Sequence, residues 1–342
     1  MMLTSKNRNR HFSRDDAGWH TPTQQTGGKL FLFFLLLLIA YVLWIYQLKP
    51  WFATQAPEHE PLRIDEPPVE LTSLQCRAGG KLLTPTFLAA QGDSLYVGFS
   101  ESSQIDIYSG SLKFVDHLSL TNLPDLKPCA LAATDSFLIV GDATAGGFAV
   151  CDLDGYRRAT ISWYPDSSRV KPLQLTAGFG MLTLTDAASG RIAQISLIDH
   201  PPFYKFLELV RTFPQGPVPL QPALCGLTMP DSTIWIGIEG GILVVDRQGR
   251  VRDQLTGSRH TALQRPVDMA LQNPGSAGAL LRVHVLDRES GKVFVYNAKG
   301  ELTLIYPRDR ELEQPTMIAF NRGRRQIYIG EASSSQITVF GY

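Results

Sequence analysis

The sequence predicts an all-β fold: a six-bladed β-propeller of four-stranded blades, its ring closed by the domain's own N-terminal strand, preceded by a single transmembrane helix. Three observations carry this reading. A proline followed by short apolar runs recurs at Pro85, Pro128, Pro172, Pro222, Pro266 and Pro315, a period of about 43–50 residues that matches one blade per repeat. The last repeat stops at Tyr342, one strand short of the others. Residues 30–48, LFLFFLLLLIAYVLWIYQL, are apolar apart from Gln47.

The N-terminal elements follow from the apolar run. As a helix it would cover roughly 28 Å, close to the hydrocarbon thickness of a bilayer. Trp44, Tyr46 and Trp51 gather at its C-terminal end, where amphipathic rings favour the membrane interface. Lys6, Arg8, Arg10, Arg14 and Lys29 precede it, whereas only Lys49 and Arg63 follow closely. The positive side stays inside. Residues 1–29 are therefore expected as a cytoplasmic tail and 30–48 as an inner-membrane helix, with the propeller in the periplasm or outside the cell. A cleaved signal peptide is the competing reading, but the apolar core is too long for one and Ala53 to Ala56 is a poor cleavage site. Residues 49–70 carry Pro50, Pro57, Pro61, Pro67 and Pro68, which hold a chain extended and predict a stalk.

From 71 to 342 the second runs of the repeats read SLYVGFS, FLIVGD, MLTLTD, TIWIGIE, VHVLD and QIYIGE, and the third runs QIDIYS, GFAVCD, RIAQIS, GILVVD, KVFVYN and QITVFG. Short alternating runs bounded by Gly, Ser, Asn and Asp are strands rather than helices. Since the sixth repeat lacks a fourth strand, Leu71 to Leu83 is expected to supply it and so remove an open edge. These blades resemble the NHL-repeat family of six-bladed propellers, most closely in VHVLDRESGKVFVYNAKG and QIYIGEASSSQITVFG. Phe99 and Ile238 stand where that family has an acid. The resemblance implies architecture and leaves function open, because such folds carry many functions.

Lys+Arg and Asp+Glu are each 32, so the overall balance does not point to a nucleic-acid partner. Cys76, Cys129, Cys151 and Cys225 have no metal-ligand spacing and fit small buried hydrophobes. In four-stranded blades the turn between second and third strands returns to the face from which the innermost strand starts. Lys127, Lys171 and Arg265, each just before a blade proline, should share that face with Asp142, Asp186, Asp287 and Glu331, the acids that end second strands. These acids can cap turns and stabilise the ring, or they can form a polar recognition face around the funnel. His260, in the loop TGSRHTALQR, joins the same face.

The lactonase and esterase group of related six-bladed enzymes holds a divalent ion with Glu, Asn and Asp from inner strands. Here only Asp268 offers such a carboxylate, too little for an oxygen-rich site. G-x-S-x-G and C-x-x-C-H motifs are absent. The expectation is a membrane-tethered periplasmic binding or scaffold module, without cofactor or metal, that recognises a protein, peptide or cell-envelope component. Its recognition set would be Lys127, Lys171, His260, Arg265 and Asp287, whose mixed charges suit a mixed-charge partner. The alternative is a lactonase, esterase or lyase in which Asp268 and His260 converge on the funnel.

Overall fold

The computed structural model describes residues 34–39, 41, 66–78, 81–99, 102, 104–118, 126–178, 181–186, 191–198, 204–206, 223–272 and 281–342. It divides the chain into two units, Met1–Leu62 and Arg63–Tyr342. In the first, residues 34–39 and 41 are helical and exposed. No helix among the described residues is long and apolar enough to cross a membrane. Most of the apolar run, and the stalk up to residue 65, lie outside the described residues.

The second unit is the six-bladed all-β propeller. Blade 1 is Pro85–Gln91, Ser94–Phe99, Ile105–Ser109 and Phe114–Leu118, and blade 2 is Pro128–Ala133, Phe137–Asp142, Phe148–Asp152 and Arg157–Ile161. Blade 3 is Pro172–Gly178, Met181–Asp186, Ile192–Leu197 and Tyr204–Phe206, and blade 4 is Cys225–Thr228, Ile234–Ile238, Gly241–Val245 and Val251–Leu255. Blade 5 is Pro266–Gln272, Arg282–Asp287, Lys292–Asn297 and Leu302–Tyr306. Blade 6 takes Pro315–Asn321, Gln326–Glu331 and Gln336–Gly341 from the end of the chain and its outermost strand, Val69–Gln75, from the start. That closing strand pairs antiparallel with Gln336–Gly341, from Val69 opposite Gly341 to Gln75 opposite Gln336. The expected closure holds over Val69–Gln75 rather than Leu71 to Leu83: it begins inside the span read as stalk, and Arg77–Ala78 and Lys81–Leu82 pair with each other instead of extending it.

Each blade buries its middle strands because both faces are covered by neighbouring blades. Arg282–Asp287 is buried along its whole length, whereas the outermost Val251–Leu255 is exposed except at Leu255. One hydrophobic cluster fills each gap between adjacent blades. The gap between blades 4 and 5, for example, holds Trp235 and Tyr296, whose rings meet edge-on with centroids 6.0 Å apart. The gap between blades 3 and 4 also holds polar groups. Its apolar cluster is Ile192, Ala223, Ile234, Ile236 and Val245, and beside it Thr183 and Thr228 share a 2.7 Å hydrogen bond while Gln194 Nε2 donates to Thr228 Oγ1.

A β-bulge follows the proline in five innermost strands, between Pro85 and Phe87, Pro128 and Ala130, Pro172 and Gln174, Pro266 and Asp268, and Pro315 and Met317. Blade 4 departs from the spacing. Cys225 opposes Gly237 as Ala130 opposes Gly141, so Ala223, not Pro222, occupies the proline position. Close approach at this level explains the recurring glycine of the second strands. A Cβ on Gly237 would land on Cys225 Sγ and lie 3.2 Å from Pro266 O of the next blade.

Two outcomes are expected. A chain beginning at residue 81 lacks the closing strand, so it should aggregate or melt far below one beginning at residue 66, in thermal melts of both. Gly237→Ala should cost about 1–3 kcal/mol in denaturant titration, and adding Cys225→Ala should recover part of it.

Candidate functional site

Innermost strands start, and second strands end, on one face of the disc, here called the upper face. The structure shows what the acids at these ends do. Asp287 is fully buried, and its Oδ2 accepts the N–H groups of Gln264 and Arg265, both at 2.7 Å, while Oδ1 accepts that of Ser290 at 2.8 Å. In return the Arg288 N–H donates to the Arg265 carbonyl. The same exchange recurs in blade 2, where Asp142 accepts from Lys127 N–H and Ala143 N–H donates to the Lys127 carbonyl. Blade 6 repeats it with Glu331, Glu313 N–H and a return bond from Ala332 to the Gln314 carbonyl. In blade 3, Asp186 accepts from Lys171 N–H at 2.7 Å and from the Tyr164 hydroxyl. The backbone just before the proline of each of these blades has no ladder partner of its own. A carboxylate at the neighbouring strand end supplies one.

This corrects the expectation for Asp287. It was placed on the recognition face, but burial and its three backbone partners turn it inward, where it holds the loop that carries Arg265. Burial likewise takes Asp186 and Glu331 out of solvent. Glu331 is further engaged by Arg310, which reaches it at 3.4 Å and Glu70 of the closing strand at 2.9 Å. Lys127, Lys171 and His260 are exposed on the upper face, and Arg265 is half-exposed and 3.6 Å from Glu289. The structure brings Lys127 and Lys171 into one sector. His260 and Arg265 belong to another, in the hairpin 256–265 that Ser258 Oγ organises by accepting the His260 and Thr261 N–H groups.

The first sector holds two residues that the sequence reading missed. Trp163 is 56% exposed and lies in the loop between blades 2 and 3, with the Arg169 guanidinium over its ring at 5.6 Å. Trp163 and Arg169 also form an isolated β-bridge, and Arg169 donates to the Ala145 carbonyl. Gly147 N–H, from the same turn, bonds the Val170 carbonyl at 2.8 Å, and Ala143 bonds Lys127. The turn 143–147 therefore clasps both lysine-bearing segments. Leu173, the bulged residue after Pro172, is 43% exposed beside Lys171. An aromatic in the run WYPDSSR, between a fourth strand and the next blade proline, was the available signal.

The centre of the disc offers less room. A cavity of about 100 Å³ is lined by innermost strands, largely with apolar side chains, together with Thr176 and Asp268. Drug-sized ligands occupy pockets of about 300–1,000 Å³. Asp268 is buried, and it accepts hydrogen bonds from Gln174 Nε2, Met269 N–H at 2.7 Å and Ile318 N–H at 2.8 Å. Gln174 Oε1 accepts from Gly226 N–H, so this carboxylate and amide tie blades 3, 4, 5 and 6 together. Burial pushes the Asp268 carboxyl up to about 7, against the lowering effect of these bonds. His260 and Asp268 do not meet: one is at an exposed loop tip and the other is enclosed by backbone donors. Among the described residues no group of His, Cys, Asp and Glu side chains could hold a metal ion. His284 is also internal. Its Nε2–H donates to Gln272 Oε1 at 2.8 Å and its Nδ1 accepts from the Tyr306 hydroxyl at 3.1 Å, and burial lowers it to about 3.

No protein-family profile matches the chain, and no curated protein sequence does. Solved structures match its fold. A virginiamycin B lyase from Staphylococcus aureus is 11% identical with a TM-score of 0.51, over 79% of this chain and 99% of the other. Hydrazine synthase from Kuenenia stuttgartiensis is 11% identical with a TM-score of 0.53, over 78% and 99%. An auxiliary nutrient binding protein from Bacteroides thetaiotaomicron is 10% identical with a TM-score of 0.52, over 76% and 69%. Identity this low shows a shared β-propeller fold, and the neighbours' differing roles leave function to the site.

A pH series separates the two buried titrating groups. Asp268 is raised, so its contribution to stability is present below about pH 4 and lost as pH rises through about 7. His284 is lowered, so its contribution is present above about pH 6.5 and lost as pH falls towards about 3. Between about pH 4 and 6.5 the slopes oppose each other, at up to about 1.4 kcal/mol per pH unit each. Asp268→Asn should unmask the histidine: relative to the native chain, its unfolding free energy should climb with pH across that window in denaturant titrations.

Proposed function

We propose that the chain is a membrane-tethered, periplasmic binding or scaffold module, anchored through residues 30–48, whose NHL-type propeller recognises a protein, peptide or cell-envelope component on its upper face. The observation that carries this reading is the exposed Trp163, held under the Arg169 guanidinium beside Lys127 and Lys171. Tryptophan and arginine are the side chains enriched where binding energy concentrates. Both sit on loops clasped by backbone hydrogen bonds, so little ordering cost attends binding. The apolar run and the basic residues before it support the tether and its direction. The closing strand starts opposite Gly341, at the lower face, so the chain joins the disc on the side away from the candidate site.

The enzyme reading draws less support. Asp268 has a proton affinity suited to acid-base work, but its oxygens are occupied by protein donors and the cavity beside it is small. A binding surface needs neither an enclosed pocket nor a free carboxylate.

Two measurements test the proposal. A phosphatase fused after Tyr342 should be active and a cytoplasm-only fluorescent reporter there dark; the reverse pair contradicts the orientation. In cells, a photo-crosslinking amino acid at position 163 should yield adducts, while one at Val115, exposed on the outermost strand of blade 1, should not. Adducts at 115 alone would move the site to the rim.

A further inference from the structure

Resting on the upper-face reading, we infer that the sector formed by Lys127, Trp163, Arg169, Lys171 and Leu173 binds an extended acidic peptide segment that carries an apolar side chain among its carboxylates. The polar side chains of the five, two ammonium groups, a guanidinium and the Trp163 indole N–H, are donors. Neither lysine ammonium has an acidic partner among the described residues, and Arg169 spends its polar contact on a carbonyl, Ala145 O. Among the described residues the nearby acids hold protein donors: Asp186 is buried on Lys171 N–H and Tyr164, Asp142 accepts from Lys127 N–H and Thr144 N–H through one oxygen, and Asp166 is held by Arg191 at 2.8 Å and by Ser168.

A cluster of cations suits carboxylates. Neutral sugar hydroxyls, which both donate and accept, are matched poorly by it. The apolar members then select among anions. Trp163 and Leu173 are more than two-fifths exposed, so covering them with an apolar group is favourable. A partner with its own apolar side chain gains from that burial, whereas a polyphosphate or polyuronate has none to offer. Lys127, Lys171 and Leu173 are exposed on separate loops and strand starts, a spread that favours an extended chain over a small molecule.

The test uses the full chain in mild detergent and a fluorescein-labelled acidic peptide built of repeated Glu-Glu-Leu, read by fluorescence anisotropy. Its partners are the same peptide with Ser for Leu, a leucine-bearing peptide with Gln for Glu, polygalacturonate and polyphosphate. The Glu-Glu-Leu peptide should bind, and both replacements should weaken it by about tenfold or more. Trp163→Ala should weaken it comparably, Lys171→Glu should abolish it, and thermal melts of both variants should match the native chain. Equal binding of the serine peptide or of either polyanion, with Trp163→Ala silent, overturns the inference in favour of a general polyanion site. Binding of the Gln peptide that depends on Trp163 overturns it while the upper-face reading stands. If no probe binds in a way that depends on any of the five residues, yet crosslinks form at position 163, the inference also fails alone; without those crosslinks the upper-face reading fails with it.

Discussion

Every blade must bring an innermost strand in from the rim, and at that point the backbone has nothing regular to bond. In five blades a proline starts the strand and donates no hydrogen bond, and the N–H groups just before it lie outside the ladder. In four blades a carboxylate from the end of the second strand accepts one or two of those N–H groups, as Asp287 does for Gln264 and Arg265 and Glu331 does for Glu313. The N–H after the acid completes the exchange by bonding the pre-proline carbonyl in blades 2, 5 and 6. The loops of the upper face, and with them the positions of Lys127, Lys171 and Arg265, depend on this one local solution.

The electrical character of the face follows from it. Three of the four carboxylates that hold backbone, Asp186, Asp287 and Glu331, are buried, while Lys127 and Lys171 of the same segments extend into solvent. Trp163 and Arg169 add an apolar and cationic contact in the sector where two clasped loops lie against one turn. Function on this reading sits in the loops that the strands position, and the ring supplies rigidity. Closure through Val69–Gln75 and the Arg310 link between Glu70 and Glu331 join the start of the domain to the same capping system.

The proline period, the strand runs and the missing sixth outer strand were legible in sequence because a propeller repeats one solution, so each blade reports on the others. Blade 4 was misread by one residue because Pro222 looks like the marker, while register puts Ala223 in its place opposite the Ile238 end. The role of Asp287 was legible only as a choice between cap and face, since residue type fixes neither the direction of a side chain nor the depth of its strand end. Trp163 carried no repeat signal, as loops between blades vary in length and sequence. Its exposure is a property of the folded loop, set by the bridge to Arg169 and the bonds to turn 143–147.

The central claim is that carboxylate caps hold the upper-face loops. Native-state hydrogen exchange tests it most directly at the amides of Lys171, Gln264, Arg265 and Glu313, which lie outside the strand ladders. If the caps persist, these amides exchange as slowly as those of the buried strand Arg282–Asp287, and Asp287→Ala releases Gln264 and Arg265 while Lys171 keeps its protection. Exchange of all four at the rate of open loops in the native chain would contradict the account.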